Sequence, residues 1–304
     1  MENTNTLKTV TYKKSKVKLT PVDYIMYAIM FLFIIIELYP YWFVVIGAFS
    51  DGNDYGAGGV YLLPRVLSLD SFRVVFNDNK LYMTLGVTVA RTVLGTATSL
   101  LFTAMVSYAM HSNDLVGKPV FYWINIFTMF FGGGLIPYYL VIVNLGLYDN
   151  FLVYIIPGLY GVYNMIIIST FYKGISNELR EAALIDGASE ITVFLRIYLP
   201  LSKPVLATVG MWIAVGHWNS YYDVMIYTFS KELQTLQYYL MQIILRSSTP
   251  ENAGTLPPEV LNDTLPITIS YASIVFASIP VLLLYPVIQK ICFAQGITAG
   301  AVKG

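Results

Sequence analysis

Apolar runs recur along this chain at the length a bilayer core demands, about 20 residues of helix at about 1.5 Å per residue. They cover Tyr24 to Phe49, Tyr82 to Met110, Val120 to Val143, Phe151 to Phe171, Val205 to Phe229 and Thr268 to Phe293. Residues this apolar in runs this long cannot be sheathed by the chain itself, so the lipid bilayer becomes part of the fold. The expected class is all-α, a polytopic membrane protein with about six transmembrane helices. Composition agrees, with 56% hydrophobic and 12% charged residues. The formal charge of zero adds nothing.

Basic residues set the orientation. Lys8, Lys13, Lys14, Lys16 and Lys18 precede the first run, which is too long for the apolar core of a cleavable signal and is expected to remain as a span. Placing the N-terminus inside puts those lysines with Lys118, Lys173, Arg180, Arg196, Lys203, Lys290 and Lys303 on the cytoplasmic side. Only Arg65, Arg73, Lys80, Lys231 and Arg246 fall outside. The excess of inner lysine and arginine puts both termini in the cytoplasm of a multi-pass cell-membrane protein. The chain divides into a basic tail (1–20), a first helix with its outer loop (21–81), a core (82–293) and a cytoplasmic tail (294–304). The long outer loops, Ser50 to Leu81 and Ser230 to Pro266, are rich in Gly, Pro, Asn and Asp. Each reads as a solvated rim or, taken as a surface, as a dock for an extracytoplasmic binding protein. Within the second loop, Leu233 to Leu245 has helical period, with Leu236, Leu240, Ile243 and Ile244 on one side.

One charged island interrupts the apolar pattern on the inner side, Ser176 to Pro204. Asn177 suits an N-cap, and Glu178 and Glu181 put negative charge in a first turn. Gly187 ends that helix. A second starts at Ser189 and carries Ile191, Phe194, Leu195 and Tyr198 on one face as far as Leu199-Pro200. A surface-lying amphipathic connector is usually Lys/Arg-rich on its polar face. Here acids and bases mix, so a protein-docking helix-glycine-helix fits better.

The order Glu181-Ala182-Ala183, three residues, Gly187, nine residues, Ile197, one residue, Leu199-Pro200 resembles the EAA loop of ABC-importer permeases at every defined position. Ser176-Asn177 stands where many of those proteins have a proline, and side-chain capping replaces the preset dihedral. The resemblance implies a type I ABC importer permease fold and a coupling helix inserted into a cytoplasmic ATPase, a role inherited by Glu181 and Gly187, with Glu178, Ala182, Ala183, Ile197, Leu199 and Pro200 completing the coupling residues. Thr88 to Ser112, Trp218-Asn219-Ser220 and the C-terminal glycines are similar to permeases of the maltose and multiple-sugar class. Phe131-Gly132-Gly133-Gly134-Leu135-Ile136-Pro137 through Leu147 resembles the oligosaccharide and complex-glycan subgroup. The implied partners are a dimer of ABC ATPases using ATP and Mg, a sister permease of different sequence, an extracytoplasmic solute-binding protein and an oligosaccharide. The tail Ala301, Val302, Lys303, Gly304 would make a second ATPase contact, or simply fray.

Polar groups within the spans mark the remaining candidates. Glu37 and Arg91 fall at similar depths, and an ion pair between them offsets an insertion cost of about 2.5–3.5 kcal/mol each better than two separate functional charges. His217-Trp218-Asn219-Ser220-Tyr221-Tyr222-Asp223 combines hydrogen-bonding groups with aromatic faces, as sugar recognition requires. Trp218, Asn219, Tyr222 and Asp223 are the pathway candidates, with helix packing and interfacial anchoring as the bland explanation. Gly132 to Gly134 and Pro137 predict a kinked or unwound third span, or close packing through small residues.

Several chemistries are excluded. No G-x-x-x-x-G-K-[ST] phosphate loop occurs, so no cofactor is expected on this chain and any ATP is used by a partner. His111 and His217 lie far apart, and no Cys/His spacing suggests a metal. No nucleophile motif or basic nucleic-acid patch is present. Cys292 has no partner for an internal disulfide and reads as a packed thiol. Two other functions fit less well. A permease for a polyamine, phosphonate or peptide shares the architecture, but a cation would call for more acids in the spans. A stand-alone carrier would have no use for a cytoplasmic docking loop.

Overall fold

The computed structural model describes residues 20–112, 114–247 and 266–300, without side chains at 246, 247, 284, 285 and 287–300. The basic tail up to residue 19, Ala301 to Gly304, the Cys292 side chain and 248–265 of the second outer loop lie outside the described residues. Thirteen helices organise the described chain, with one isolated antiparallel bridge, Ser50 to Leu67.

Helix α1 (Pro21–Ala48) starts from a capping box, Thr20 with Asp23, and has Pro21 in its first turn. Its inner two thirds are exposed, and only Ile46, Gly47 and Ala48 are buried. The outer loop holds α2 (Gly52–Gly56) and α3 (Asp70–Phe76). Helix α4 (Asn79–His111) is the central post. Leu81, Thr84, Thr88, Arg91, Gly95, Ser99, Thr103 and Ser107 form a buried stripe at spacings of three and four. Most are small, which lets neighbouring helices approach closely, and hydroxyls donate back to the helix's own carbonyls, as Thr88 Oγ1 does to Thr84 O at 2.9 Å.

The predicted third and fourth spans are not continuous. Helices α5 (Lys118–Phe130) and α6 (Leu135–Asn144) meet at 115°, because Gly134 adopts φ +85°, a left-handed value open to glycine. Among the described residues, nothing beyond the chain neighbours lies within 4 Å of a Cβ built at Gly132 or Gly134, and Gly133 meets only Pro137 Cβ at 3.7 Å, so the unwound reading holds and close packing against another helix of this chain does not explain these glycines. The fourth stretch enters through a 3-10 turn (Phe151–Tyr154) and irregular backbone before α7 (Val162–Tyr172). Irregular backbone at this depth is tolerated where protein covers it. Here Gly158 lies beside the His217 ring.

The charged island forms α8 (Asn177–Ile185) and α9 (Glu190–Leu201), and α9 turns through 84° into α10 (Lys203–Asn219). After α10 come α11 (Tyr222–Tyr227), α12 (Leu236–Ser247) and α13 (Pro266–Gly300). Three described helices, α1, α4 and α13, are long and apolar enough to cross a membrane alone, and the two bent pairs raise this to five. Helix α7 stands in the place of the remaining predicted span. Helix α4 packs on α7 and α10, while α13 packs on α1, α3, α10 and α12. The inner core gathers Ala104, Ile168, Tyr172, Phe194, Tyr198 and Val209; the outer core gathers Leu81, Trp218, Leu236, Leu240 and Ala272.

Candidate functional site: a coupling loop and an intramembrane cluster

Ser176, not Asn177, caps α8, its hydroxyl accepting from Glu178 N at 3.3 Å. Gly187 at φ +83° closes the helix. Its N–H donates to Leu184 O at 3.0 Å and Ala188 N–H to Ala183 O at 2.9 Å, a Schellman closure that needs glycine at this position. Ser189 caps α9 by accepting from Thr192 N. The predicted single apolar face of α9 divides in two. Phe194 and Tyr198 are buried, whereas Ile191 and Leu195 stay exposed, because a π-type stretch over Phe194–Tyr198 rotates the register. The helix also runs one residue past Leu199-Pro200 before the bend.

The motif residues separate by direction. Ala183, Ile197 and Leu199 pack against the inner core, whereas Glu178, Glu181, Ala182, Gly187 and Pro200 are exposed. Arg180 roots the loop. Its guanidinium pairs with Asp114 at 2.6 Å and with the Glu190 carboxylate, to which Tyr108 also donates. The Arg180 hydrogen bonds hold the Glu190 carboxyl below its ordinary range, and Glu190 in turn raises Arg180 further.

The intramembrane pair differs from the predicted one. Arg91, 3% exposed, pairs with Asp223, Nη1 to Oδ1 at 3.1 Å with a second short contact alongside. Glu37 lies on the exposed flank of α1 with no described ion pair. Equal depth said nothing about which way around its helix each side chain points. Nε of Arg91 also donates to His217 Nδ1 at 3.4 Å, and its guanidinium stacks 4.5 Å from the Tyr154 ring centroid. Asp223, in the first turn of α11, accepts at Oδ1 from Ser220 Oγ at 2.8 Å and Val224 N at 2.9 Å, where the predicted fifth span breaks. The cluster thus fixes the break between α10 and α11 against α4.

That break also disperses the predicted pathway face. Trp218 is buried and donates from Nε1 to Ala277 O at 3.1 Å, a packing role. Asn219 and Tyr222 are exposed on either side of the break. Asn219 accepts from Gln237 Nε2 at 3.4 Å, and both line a groove of about 480 Å³ with Tyr221, Leu240 and Ala277. Sequence reasoning missed Gln237 and Tyr154 as neighbours because each arrives from a different loop. Ser220 three residues before Asp223 is the local signal of the side-chain hydrogen bond that marks the break.

Residues 82–294 match the family model of the binding-protein-dependent transport system inner membrane component. The chain belongs to that family. Among its relatives is the polygalacturonan/rhamnogalacturonan transport system permease protein YtcP of Bacillus subtilis (strain 168), 36% identical over 93% of this chain and 98% of the relative. Protein LplC of the same organism is 37% identical over 88% of this chain and 90% of its own. Among solved structures, a chain of a bacterial ABC transporter involved in the import of the acidic polysaccharide alginate superposes with TM-score 0.82 at 32% identity, covering 90% of this chain and 98% of that one. This permease is therefore a multi-pass membrane subunit with the type I ABC importer fold, and ATP hydrolysis belongs to a separate subunit.

Proposed function

We propose that this permease carries an oligosaccharide inward, driven by a cytoplasmic ATPase dimer that engages the loop Glu178 to Tyr198. The carrying observation is the geometry of that loop. Glu181, Ala182 and Gly187 face outward while Ala183, Ile197 and Leu199 anchor in the core, the arrangement of a docking knob rather than a connector. ATP with Mg closes the ATPase dimer, the dimer moves α8, and α9 passes the motion through its bend into α10. The termini lie in the cytoplasm, as the basic residues require. A solute-binding protein delivers cargo at the outer loops, and a sister permease completes the pathway.

An oligosaccharide suits the pathway side of the α10–α11 break. Arg91 and Asp223 neutralise each other, leaving Asn219, Gln237, Tyr221 and Tyr222 to offer amides, hydroxyls and aromatic faces. The relative YtcP, named for polygalacturonan and rhamnogalacturonan transport, points the same way. A polyamine would lack a free acid at this break. In the reconstituted complex, Glu181→Lys with Gly187→Val is expected to keep binding-protein docking but abolish binding-protein-stimulated ATP hydrolysis. Unchanged stimulation removes the coupling role. A glycan array probed with the associated binding protein tests the cargo.

A further inference from the structure

The EAA pattern does not include Arg180, yet this side chain makes most of the polar attachment of α8 to the rest of the molecule. Helix α8 contributes no buried residue of its own. Ile185 is 86% exposed, and only Ala183 and Leu184 touch the inner core. Arg180, by contrast, is only 17% exposed and joins three elements. It reaches Glu190 in the first turn of α9 and Asp114 between α4 and α5. Tyr108, in the last turns of α4, reaches the same Glu190 carboxylate and closes the circuit.

We propose that Arg180 is a positioning residue that transmits displacement of the coupling loop directly to α4, in parallel with the route through α9 and α10. The fork geometry matters. A guanidinium holds two carboxylates at fixed angles, whereas an ammonium holds them only as a point charge. Without Arg180, α8 keeps its Schellman closure and its outward residues but swings on a short apolar contact. Motion imposed on it is then lost before it reaches the span that carries Arg91. This inference rests on the coupling role proposed for the loop and adds a second path out of it.

The test compares Arg180→Leu, Arg180→Lys and the double variant Asp114→Asn/Glu190→Gln in the full importer reconstituted with its ATPase, sister permease and binding protein. Two quantities are read: the amount of assembled complex and the sugar delivered per ATP hydrolysed. Arg180→Leu and the double variant are expected to assemble normally while delivery per ATP falls about tenfold, the scale of a modest coupling energy. Arg180→Lys falls between them and wild type. Unchanged delivery per ATP overturns the inference, and so does a loss of activity that only follows loss of assembled complex. If Glu181→Lys with Gly187→Val also leaves stimulation intact, the coupling role itself fails. If that variant uncouples and Arg180→Leu does not, only the inference about Arg180 fails.

Discussion

Two arginines, Arg91 and Arg180, each clamp an aspartate, and their surroundings make them opposite devices. Arg91 is 3% exposed, held between Asp223, His217 and the face of Tyr154. Arg180 faces more open partners, 47% exposed at Glu190 and 70% at Asp114. Water reaches the Asp114 and Glu190 side of these pairs, and a surface ion pair is worth below about 1 kcal/mol. Arg91 is buried, and a lost partner there leaves an uncompensated charge. The same chemistry yields a fixed joint in the membrane and an adjustable one at its cytoplasmic edge.

The sharpest way to break this contrast is to remove one member of the buried pair. Arg91→Leu or Asp223→Leu is expected to cost about 3–5 kcal/mol, seen as loss of folded protein in detergent by size exclusion. The double substitution to leucine should recover much of that. Single variants that melt like wild type would mean that the two charges are solvated after all. A smaller effect is expected at Gly95, where an added Cβ would lie 2.5 Å from His217 Nε2. Gly95→Val should push the ring off Arg91 at about 1–3 kcal/mol, measured by thermal melting, while Gly86→Val, where an added Cβ meets nothing described beyond its own stretch of helix within 4 Å, serves as the control.

The smallest effect tests the adjustable joint. The Glu190 carboxyl is held below its ordinary range, so the stabilisation it gives is present above that range and disappears as the pH falls through the lowered value. The melting difference between wild type and Glu190→Gln should therefore be small at pH 7 and close as the pH falls below the ordinary glutamate range. A difference that widened in acid would assign Glu190 a different partner.

Much of this architecture was legible because apolar length needs no knowledge of neighbours. Helices α1 and α4 fall within a few residues of the runs that announce them, and Gly187 ends α8 for a reason that is local to its own dihedral. The pairing of Arg91 was not legible. Depth follows from position along a helix, but azimuth depends on where α10 breaks, and that break is set by Ser220 and Asp223 acting together with α4. The fourth stretch misled for the same reason. Its hydropathy predicts a helix through Phe151 to Phe171, while Pro157, Gly158 and Gly161 favour an irregular backbone, and Tyr154 is held by Arg91 and Leu233 O. In the charged loop, spacing marked the motif residues but neither which of them face outward nor Arg180, whose partners lie 10 and 66 residues away.

The 84° turn between α9 and α10 has a mechanical consequence. Helix α9 is about 18 Å long at about 1.5 Å per residue, so a tilt of about 10° about its outer corner sweeps the coupling end through about 3 Å. Read in reverse, a few ångströms of travel at the loop become a rotation of the span, a gear ratio set by the length of one short helix.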